Sequence, residues 1–580
     1  MPATKHPQDY SKHLLHVLYE EQRDHCFISD EAMVSIAERL ELPRAQVESV
    51  VEFYSFYSRT PRGSFDILFS NCTSCGDLSL MQRLCELLHV EKGITRDDGR
   101  VSISEASCIG MCDHGASALI SGRVMAGMNE QRLKAMAELI EKDVAVDDWP
   151  TDWFEVQDNV RHAGLMLTES FESGSALKMV TTEGIDVALE KIKHSELRGR
   201  GGAGFNTSQK WKFCQEAIGD AHYVVCNADE GEPGTFKDRV LLTSHADEVF
   251  EGMALCGRVI GAKRGYLYLR GEYRYLLSHL EQVLANRRSS GLLGETILGI
   301  SDFDFDIDIV IGAGAYICGE ESALIESMEQ KPGHPRIRPP FPVTHGYLGQ
   351  PTVVNNVETL AAAAMIVTHD DHWFRKVGTM QSHGSKLLSV SGDCARPGIY
   401  EYPFGISISE LLDACGAKDV QAVQVGGPAG RLVHPSNFDH HIAFEDVATG
   451  GSFMIYDHSR DLLEVIHNFC NFFAHESCGF CTPCRVGTTL LKNGMDKVCS
   501  GHATAHDLDE MKRTAAIVNR RSHCGLGVTA PNAIVEGLKC FPELFEAKLL
   551  HKEMEPEFNL DASLAEARLL ANRDDAEAHL

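Results

Sequence analysis

Four cysteines at a fixed spacing constrain the C-terminal part of the chain more than any other feature. The segment ESCGFCTPCRVGTT contains Cys478, Cys481 and Cys484 in a C-x2-C-x2-C run, and Cys524 follows in RSHCGLG. A tight loop at this spacing points successive thiolates at one centre, and a distant cysteine closes the set, as in [4Fe–4S] sites. Four thiolates also suit a structural zinc ion, although zinc sites usually pair two C-x-x-C hairpins. The spacing favours a cluster and leaves zinc as the alternative.

A second cysteine group lies near the N-terminus. Cys72 and Cys75 occur in SNCTSCGD, and Cys108 and Cys112 occur in SCIGMCDHG. Each pair follows a predicted strand, so two strand-end loops can hold a [2Fe–2S] cluster through four thiolates. Zinc fits this spacing equally well. A thiol redox pair is a further alternative, which the presence of the second pair disfavours.

A glycine-rich segment, RGRGGAGF, spans residues 198–205. Glycine at positions 199, 201, 202 and 204 lets the backbone approach a flat ring or a phosphate, and Arg200 and Lys210 supply positive charge. A simple turn would explain such a loop taken alone. It is accompanied by NADEGEPGTFKDR (227–239), GAGAYICGEESALIESME (312–329) and RPPFPVTHGYLGQPTVVNNVETL (338–360), each predicted at a strand end, where open α/β sheets bind ligands.

Carboxylates are frequent in these strand-end segments. The candidates are Asp229, Glu230, Glu232, Glu320 and Glu321. Carboxylates repel phosphates but accept hydrogen bonds from ribose hydroxyls and amides, so they suit the sugar side of a nucleotide. The alternative is a solvated acidic face.

The hydrophobic pattern predicts a multidomain α/β chain. Residues 10–60 have helical periodicity, with Asp30 as an N-cap and Pro43 at the start of a later helix. Strands are predicted at 65–71 and 101–107, around a helix at 81–90. Alternating strands and helices follow to about residue 380, and short strands around one helix predict a small α+β module at 386–455. Helices are predicted from 458 onward, before a charged tail.

Composition excludes several classes of partner. The formal net charge is −29, which repels nucleic acid and anionic lipid, and no segment reaches the roughly 20 apolar residues that a membrane-spanning helix needs. The N-terminus has no pattern of a secretory signal, so we expect a cytoplasmic protein whose 19 cysteines stay reduced.

Five motifs resemble one family. GRGGAGF with KW, CNADEGEPGTFKDR, AYICGEES, VVNNVET and ESCGFCTPCR are similar to the NADH-oxidising flavoprotein subunit of respiratory complex I and its soluble relatives. VVEFYSFYSRTPRG (50–63) and the two cysteine pairs resemble the thioredoxin-like [2Fe–2S] subunit of complex I. The fusion of both in one chain resembles the diaphorase large subunits of soluble NAD-reducing [NiFe] hydrogenases.

The resemblance implies five regions and four cofactors. Residues 1–150 would form a helical arm and a thioredoxin-like [2Fe–2S] domain, 165–384 an α/β domain for FMN and NAD(H), and 385–457 a ubiquitin-like module. Residues 458–545 would form a helical bundle with a [4Fe–4S] cluster, and 546–580 a charged tail. The cluster ligands would be Cys72, Cys75, Cys108 and Cys112 for [2Fe–2S], and Cys478, Cys481, Cys484 and Cys524 for [4Fe–4S].

Cofactor contacts also follow from the matched motifs. The implied FMN contacts are Gly199, Arg200, Gly201, Gly202, Lys210, Asn227, Asp229, Glu230, Tyr316, Gly319, Glu320, Asn355, Asn356 and Thr359. The implied NAD(H) contacts are Phe205, Phe213, Glu232, Glu321 and Phe341, although the three phenylalanines taken alone suit a core.

The chain departs from the family at two positions. Asn206 replaces a proline after the glycine-rich loop. The family has C-x4-C in its first cysteine pair, so Ser70 falls where the first ligand belongs if Cys75 matches the second. Cys72 must then serve in place of that ligand, or the cluster is altered.

The function implied is hydride exchange between NAD(H) and FMN, followed by single-electron exchange with the clusters. The cofactors carry this chemistry, and no general acid or nucleophile is required. In a hydrogenase the expected partners are a small iron–sulfur diaphorase subunit and the [NiFe] subunits. The alternatives are the NADH-handling subunit of a formate dehydrogenase or of a complex I-like enzyme and, from another class, a non-catalytic zinc scaffold.

Overall fold

A computed structural model describes residues 13–369, 371–551 and 560–573. It begins with three helices that form an N-terminal arm, α1 (Leu14–His25), α2 (Asp30–Leu40) and α3 (Arg44–Phe53). The predicted cap of α2 is wrong by one residue, because the Ser29 side chain accepts the bond from Ala32 N at 3.0 Å and Asp30 is already helical. Pro43 precedes α3 as predicted. The first residues of the predicted arm, 10–12, lie outside the described ranges.

The next region folds as a four-stranded sheet with two helices. Its elements are β1 (Phe65–Ser70), α4 (Leu78–Leu88), β2 (Val101–Ala106), β3 (Ala118–Ile120), β4 (Arg123–Met125) and α5 (Glu130–Glu141). The strand order is β2-β1-β3-β4, with β1 parallel to β2 and antiparallel to β3. Because β1 and β2 are parallel, the cysteine loops that follow them lie at the same edge of the sheet.

The central region is built on a parallel sheet. Its elements in chain order are β5 (Val160–His162), α6 (Ser175–Glu183), α7 (Ile185–His194), α8 (Thr207–Gln215), β6 (Tyr223–Ala228), α9 (Lys237–Ser244), α10 (Ala246–Ile260), β7 (Arg264–Leu269), α11 (Leu277–Ser289), β8 (Asp306–Ile311), α12 (Glu321–Met328), α13 (Pro342–His345), β9 (Thr352–Asn356), α14 (Val357–Thr368) and α15 (Asp371–Arg375). Strands β6 to β9 are mutually parallel in the order β8-β7-β6-β9.

Side chains alternate between two cores across this sheet. Val224 and Cys226 of β6 pack in the core that includes α10 and α14, whereas Val225 packs in the core that includes the N-terminal arm and α12. This is the period-two pattern of a strand buried on both faces. The arm therefore covers one face of the central sheet.

A six-stranded mixed sheet forms the smaller module. Its elements are β10 (Ser385–Gly392), β11 (Gly398–Pro403), α16 (Ile408–Cys415), β12 (Val420–Val425), β13 (Arg431–Val433) and β14 (Ser452–Asp457). The strand order is β13-β12-β14-β10-β11-β5, so strand β5, which precedes the flavin-type motifs, completes this sheet at the β11 edge. The predicted α+β module is thus joined to the segment that follows the N-terminal domain.

After β14, the elements that the structure describes are helices. They are α17 (Leu462–Glu476), α18 (Thr482–Cys499), α19 (Ala505–Arg521), α20 (Gly525–Thr529), α21 (Asn532–Cys540), α22 (Pro542–Glu546) and α23 (Leu560–Ala571). Residues 552–559 and 574–580 of the predicted tail lie outside the described ranges. Within the described ranges, none of the helices has the length and apolar content that a bilayer crossing requires. The multidomain α/β fold class is confirmed, and the domain boundaries stay predictions.

Candidate functional site

The candidate flavin site lies at the switch point of the parallel sheet. The chain proceeds from β6 to β7 and β8 on one side, and β9 then pairs with β6 on the other side. Ligands in open α/β sheets bind at such a point, outside the carboxyl ends of the strands. Asn227 at the end of β6 is paired in register with Asn356 at the end of β9. Two predicted contacts therefore face the same crevice edge.

The glycine-rich loop folds against the start of α14. Gly199 N–H donates to Phe205 O at 2.8 Å, and Arg200 N–H donates to Thr359 Oγ1 at 2.9 Å. A Cβ at Gly201 would lie 3.1 Å from the Cβ of Asn356, and Gly202 has a φ of +127°. Substituting either glycine would displace the loop or strain its backbone. The structure brings these predicted residues together.

Two buried polar groups of these loops lack a partner among the described residues. They are Nη1 of Arg200 and Oδ2 of Asp229. Nη2 of Arg200 donates to His383 O at 3.0 Å, and the guanidinium lies near the rings of Phe374 and Phe404, 5.4 and 4.6 Å from their centroids. Burial lowers the pKa of Arg200 to about 10 and raises the pKa of Asp229 well above its usual value. Buried polar groups are normally satisfied, so an unpartnered guanidinium donor and an unpartnered carboxyl oxygen fit a polar cofactor such as FMN.

Several predicted contacts are held by the chain itself. Lys210 Nζ donates at 2.7 Å to both Glu321 Oε2 and Val354 O. Asn227 Nδ2 donates to Gly319 O at 2.8 Å, and Asn355 Oδ1 accepts from Trp211 Nε1 at 2.8 Å. These bonds fix the side chains around the crevice.

Glu230 and Glu320 cap helices. Glu230 accepts from Asp238 N at 2.8 Å and Arg239 N at 3.2 Å, at the start of α9. Glu320 accepts from Ser322 N and Ala323 N, at 3.0 and 2.9 Å, at the start of α12. A carboxylate is favourable at a helix N-terminus. Both residues belong to the predicted contact set, and their observed bonds shape the loops.

Three of the predicted nicotinamide-side residues are phenylalanines at the surface, here called the rim, whereas Glu232 is held by the surrounding chain. Phe205, Phe213 and Phe341 are about half exposed, at 50%, 51% and 51%. Half-exposed rings can stack on a ligand, whereas the aromatic rings of a core are buried. Glu232 accepts from Ala429 N at 2.9 Å and from the Tyr316 hydroxyl, and burial raises its pKa to about 7.

The N-terminal cysteine group converges in the structure. The Sγ atoms of Cys72, Cys75 and Cys112 all lie within 4.8 Å of one another, and all four cysteines are buried. Hydrogen bonding from Cys108 first, then from Cys112 and Cys75, lowers the pKa of the Cys72 thiol well below its usual value. Ser70 contributes its hydroxyl as an acceptor for Cys72 N at 3.4 Å. The donor set of four clustered sulfurs fits a [2Fe–2S] centre, and it includes Cys72.

The C-terminal cysteine group lines one cavity. Cys478, Cys481, Cys484 and Cys524 surround it, together with Ile317, Pro335, Ser477, Phe480, His523 and Leu526. Cys481 immediately precedes α18, whose N-terminal dipole favours an anionic thiolate centre. Burial raises the pKa of Cys484 to about 11, so iron must displace its proton. Four sulfurs around a cavity fit a [4Fe–4S] cluster.

Glu476, which sequence reasoning did not select, connects all three sites. Its Oε1 accepts from Ser107 Oγ at 2.9 Å, beside the N-terminal cysteines. Its Oε2 accepts from Tyr316 N at 3.0 Å, in the loop after β8. It is also the last residue of α17, two positions before Cys478. It is the first residue of the ESCGFCTPCR motif, but sequence reasoning gave it no role.

A buried charge network behind the crevice was also missed. Glu358 Oε2 lies 2.6 Å from Lys386 Nζ and 3.0 Å from Lys237 Nζ, and Lys237 Nζ lies 2.6 Å from Asp238 Oδ1. Asp238 Oδ2 accepts from Asn356 Nδ2 at 2.6 Å, so the network reaches a predicted flavin contact. The sequence feature that could have revealed this network is the charged KDR triplet at 237–239, which lies in an otherwise apolar, buried segment.

Comparison with known families agrees with the three sites. Residues 192–365 match the model described as the Nuo51 FMN-binding domain, and 3–141 match the thioredoxin-like [2Fe-2S] ferredoxin. Residues 464–548 match the iron-sulfur binding region of NADH-ubiquinone oxidoreductase F. The fold and sites define an NAD(H)-dependent flavin and iron–sulfur oxidoreductase with FMN, a [2Fe–2S] cluster and a [4Fe–4S] cluster.

Individual relatives narrow the class. The chain is 40% identical to the NAD-reducing hydrogenase HoxS subunit alpha of Cupriavidus necator, over 95% of this chain and 94% of that protein. It is 39% identical to the NADP-reducing hydrogenase subunit HndC of Solidesulfovibrio fructosivorans, over 68% of this chain and 83% of that one. A crystal structure of an NAD+-reducing [NiFe]-hydrogenase in the H2-reduced state contains a chain with a TM-score of 0.92 and 40% identity, covering 98% of this chain and 99% of that chain. The protein belongs to the family of alpha subunits of NAD-reducing hydrogenases.

Proposed function

We propose that this chain is the diaphorase subunit of a cytoplasmic hetero-oligomer that couples hydrogen oxidation to NAD+ reduction. The names of the C. necator protein and of the hydrogenase structure support this assignment. The observation that carries it is the convergence at Glu476 of the loop beside the N-terminal cysteines, the loop after β8 and the C-terminal cysteine run. One chain thereby brings a flavin-type site between two cysteine centres.

The residues serve to bind and orient. When bound, FMN supplies hydride exchange with a nicotinamide and one-electron exchange with iron–sulfur clusters. We assign the ring and phosphate cradle to the loop of Gly199, Arg200, Gly201 and Gly202, with Asn356 and Thr359 beneath it. Lys210, Asn227 and Asp229 would line the crevice, and the rim of Phe205, Phe213 and Phe341 would stack on NAD(H).

Aromatic side chains separate the flavin loop from the C-terminal cysteines. The Tyr316 ring contacts Phe472 edge-on at 4.9 Å, and Phe472 contacts Phe473 at 5.2 Å. Ile317, next to Tyr316, lines the cysteine cavity. These side chains link the loop after β8 to the wall of the cysteine cavity.

The partner side of the proposal concerns the surface of the C-terminal helices. Apolar side chains are exposed there on several elements, namely Phe480, Val486, Leu490, Ile517, Val528 and Val535. Val486 and Leu490 are one turn apart on the same face of α18, and contiguous apolar groups at a surface are typical of protein interfaces. We assign this face to the small iron–sulfur diaphorase subunit, because Phe480 also lines the cysteine cavity and electrons must leave near it.

Anaerobic preparations of the whole chain test the cofactor assignment. Cys478→Ala should remove the [4Fe–4S] EPR signal while NADH still bleaches the visible absorbance of the flavin. Cys540→Ala is the matched control, because Cys540 ends α21 outside both groups, and it should keep both signals. A full [4Fe–4S] signal in Cys478→Ala would refute the ligand set.

Coexpression tests the physiological reaction. With [NiFe] and small iron–sulfur subunits present, the complex should reduce NAD+ under hydrogen. Coexpression with a molybdenum- or tungsten-cofactor subunit is the counter-test, and NAD+ reduction from formate in that complex, with none under hydrogen in the first, would favour the formate dehydrogenase alternative.

A further inference from the structure

Arg270 joins the N-terminal cysteine loop to the proposed flavin loop. It follows β7 at the carboxyl edge of the parallel sheet and is 3% exposed. Its Nη2 donates to the carbonyl of Cys108 at 2.8 Å, and its Nη1 donates to the carbonyl of Glu230. One buried guanidinium therefore binds the backbone of a proposed cluster ligand and the backbone of the strand-end segment after β6.

Glu272 is the counter-charge of this guanidinium. Its Oε1 accepts from Arg270 Nη2 at 2.6 Å, and its Oε2 accepts from Nε at 3.0 Å, which is a bidentate pair. Arg270, Glu272, Cys108 and Asp229 line one cleft between the N-terminal domain and the central sheet. Arg270 lies nearer to the Cys108 backbone than Glu272 does, because the Arg270 guanidinium itself donates to Cys108 O.

Other charges around the cysteine loop are paired separately. Arg239 Nη2 donates to Asp113 Oδ2 at 2.9 Å, and both side chains are fully buried. Glu105, His475 and Glu476 also line the cleft. Among the described residues, Arg270 is the cation that donates a hydrogen bond to the carbonyl of a cysteine in this group.

We propose that Arg270 and Glu272 tune the reduction potential of the N-terminal [2Fe–2S] cluster in opposite directions, with Arg270 as a positioning residue supplied by the flavin domain. This inference rests on the proposed function, which assigns Cys108 to that cluster. Reduction adds one electron to the cluster and no proton, so the cluster gains one negative charge. A cation hydrogen-bonded to a ligand backbone stabilises that charge, and the carboxylate paired with it weakens the effect.

The test is an EPR-monitored redox titration of the anaerobic holoprotein with dithionite as the electron donor. Arg270→Gln should make the cluster about tenfold harder to reduce, a downward shift of about 59 mV for a one-electron couple. Glu272→Gln should shift the midpoint upward, because the guanidinium loses its counter-charge. The double variant should lie between the two single variants.

Arg264→Gln is the matched control. Arg264 is the first residue of β7, and Arg270 directly follows the strand. The two residues therefore lie about 20 Å apart, at opposite ends of β7. Its variant should leave the midpoint unchanged. Single variants that shift in the same direction, or not at all, would overturn the inference, since a merely structural role would not reverse sign.

Two further outcomes are distinguishable. If the wild-type protein shows no [2Fe–2S] signal, the proposed cofactor assignment fails rather than this inference. If Arg270→Gln loses the cluster, Glu272→Gln decides alone, and a downward or absent shift in that variant refutes the proposal.

Discussion

Glu358→Gln should loosen the loops of the candidate flavin site. Glu358 is fully buried in the first turn of α14, with its Oε2 at 2.6 Å from Lys386 Nζ and 3.0 Å from Lys237 Nζ. At an effective dielectric constant of about 20, each pair attracts by about 6 kcal/mol, and desolvation offsets most of this. Removing one member of a buried pair costs about 3–5 kcal/mol, because the remaining charge is left unpaired.

The pKa of Lys386 places the loss at the lower end of that range near neutral pH. Burial lowers the pKa of Lys386 to about 7, although Glu358 raises it. That pKa includes the raising effect of Glu358, so in the variant the pKa of Lys386 falls below about 7. A Lys386 side chain without this carboxylate therefore loses its proton at little cost in free energy. In the wild type, protonated Lys386 gains its attraction to Glu358 as the pH falls through about 7, so the destabilisation of Glu358→Gln should be larger at pH 6 than at pH 8.

Flavin release on heating is the assay. A loss of about 3 kcal/mol in a domain of this size corresponds to a fall of about 6–12 °C in the midpoint of FMN fluorescence release. Glu190→Gln is the control, because its pair with Lys193 at 2.9 Å is exposed to solvent and should contribute little to stability. Glu358→Gln with Lys386→Met should recover much of the loss. A Glu358→Gln midpoint within about 2 °C of wild type, at both pH values, would refute the reasoning.

Three further predictions concern single positions. In the wild type, the KM for NADH should rise roughly threefold between about pH 6 and 8, because the Glu232 carboxyl, with its pKa near 7, ionises beside an anionic nucleotide. In Glu232→Gln the KM should not depend on pH over this range. A variant that keeps the wild-type pH dependence contradicts the prediction. Gly201→Val should lower the FMN content at least roughly tenfold, because even its Cβ would lie 3.1 Å from Asn356; full flavin occupancy contradicts it. Cys72→Ser should abolish the [2Fe–2S] EPR signal and Ser70→Ala should keep it, and the reverse pattern would make Ser70 the ligand.

Local pattern was sufficient for most elements and motifs. The apolar runs at 223–228 and 306–311 form strands of the predicted α/β domain, and the loops after β6, β8 and β9 lie at one sheet edge because these strands are parallel. The N-terminal thiols converge for the same reason, since β1 and β2 are parallel. Hydrophobic periodicity and strand direction depend on residues close together in the chain, so the sequence alone is enough to predict them.

Tertiary context decided what the sequence did not reveal. Strand β5 has three exposed residues and exists through its pairing with β11, more than 200 positions away. Glu230 and Glu320 look like ligand carboxylates in sequence, but helix N-termini occupy them in the structure. Lys237 and Lys386 are charged residues that sequence would place at the surface, and their burial depends on a shared carboxylate.

The N-terminal cysteine domain is held from three sides, which argues that its position relative to the flavin site is fixed. Arg270 of the central region binds Cys108 O, Tyr456 of the small module bonds to Thr73 at 2.7 Å, and Asn468 of α17 donates to Asn71 O at 3.0 Å. Each contact falls within the cysteine loops themselves rather than on the outer surface of the domain. Electron transfer needs a constant separation between centres, and bonds at the ligand loops constrain that separation more directly than contacts elsewhere would. Fusion into one chain then keeps these partners together, so the cluster is built into the fold of the flavin-binding half.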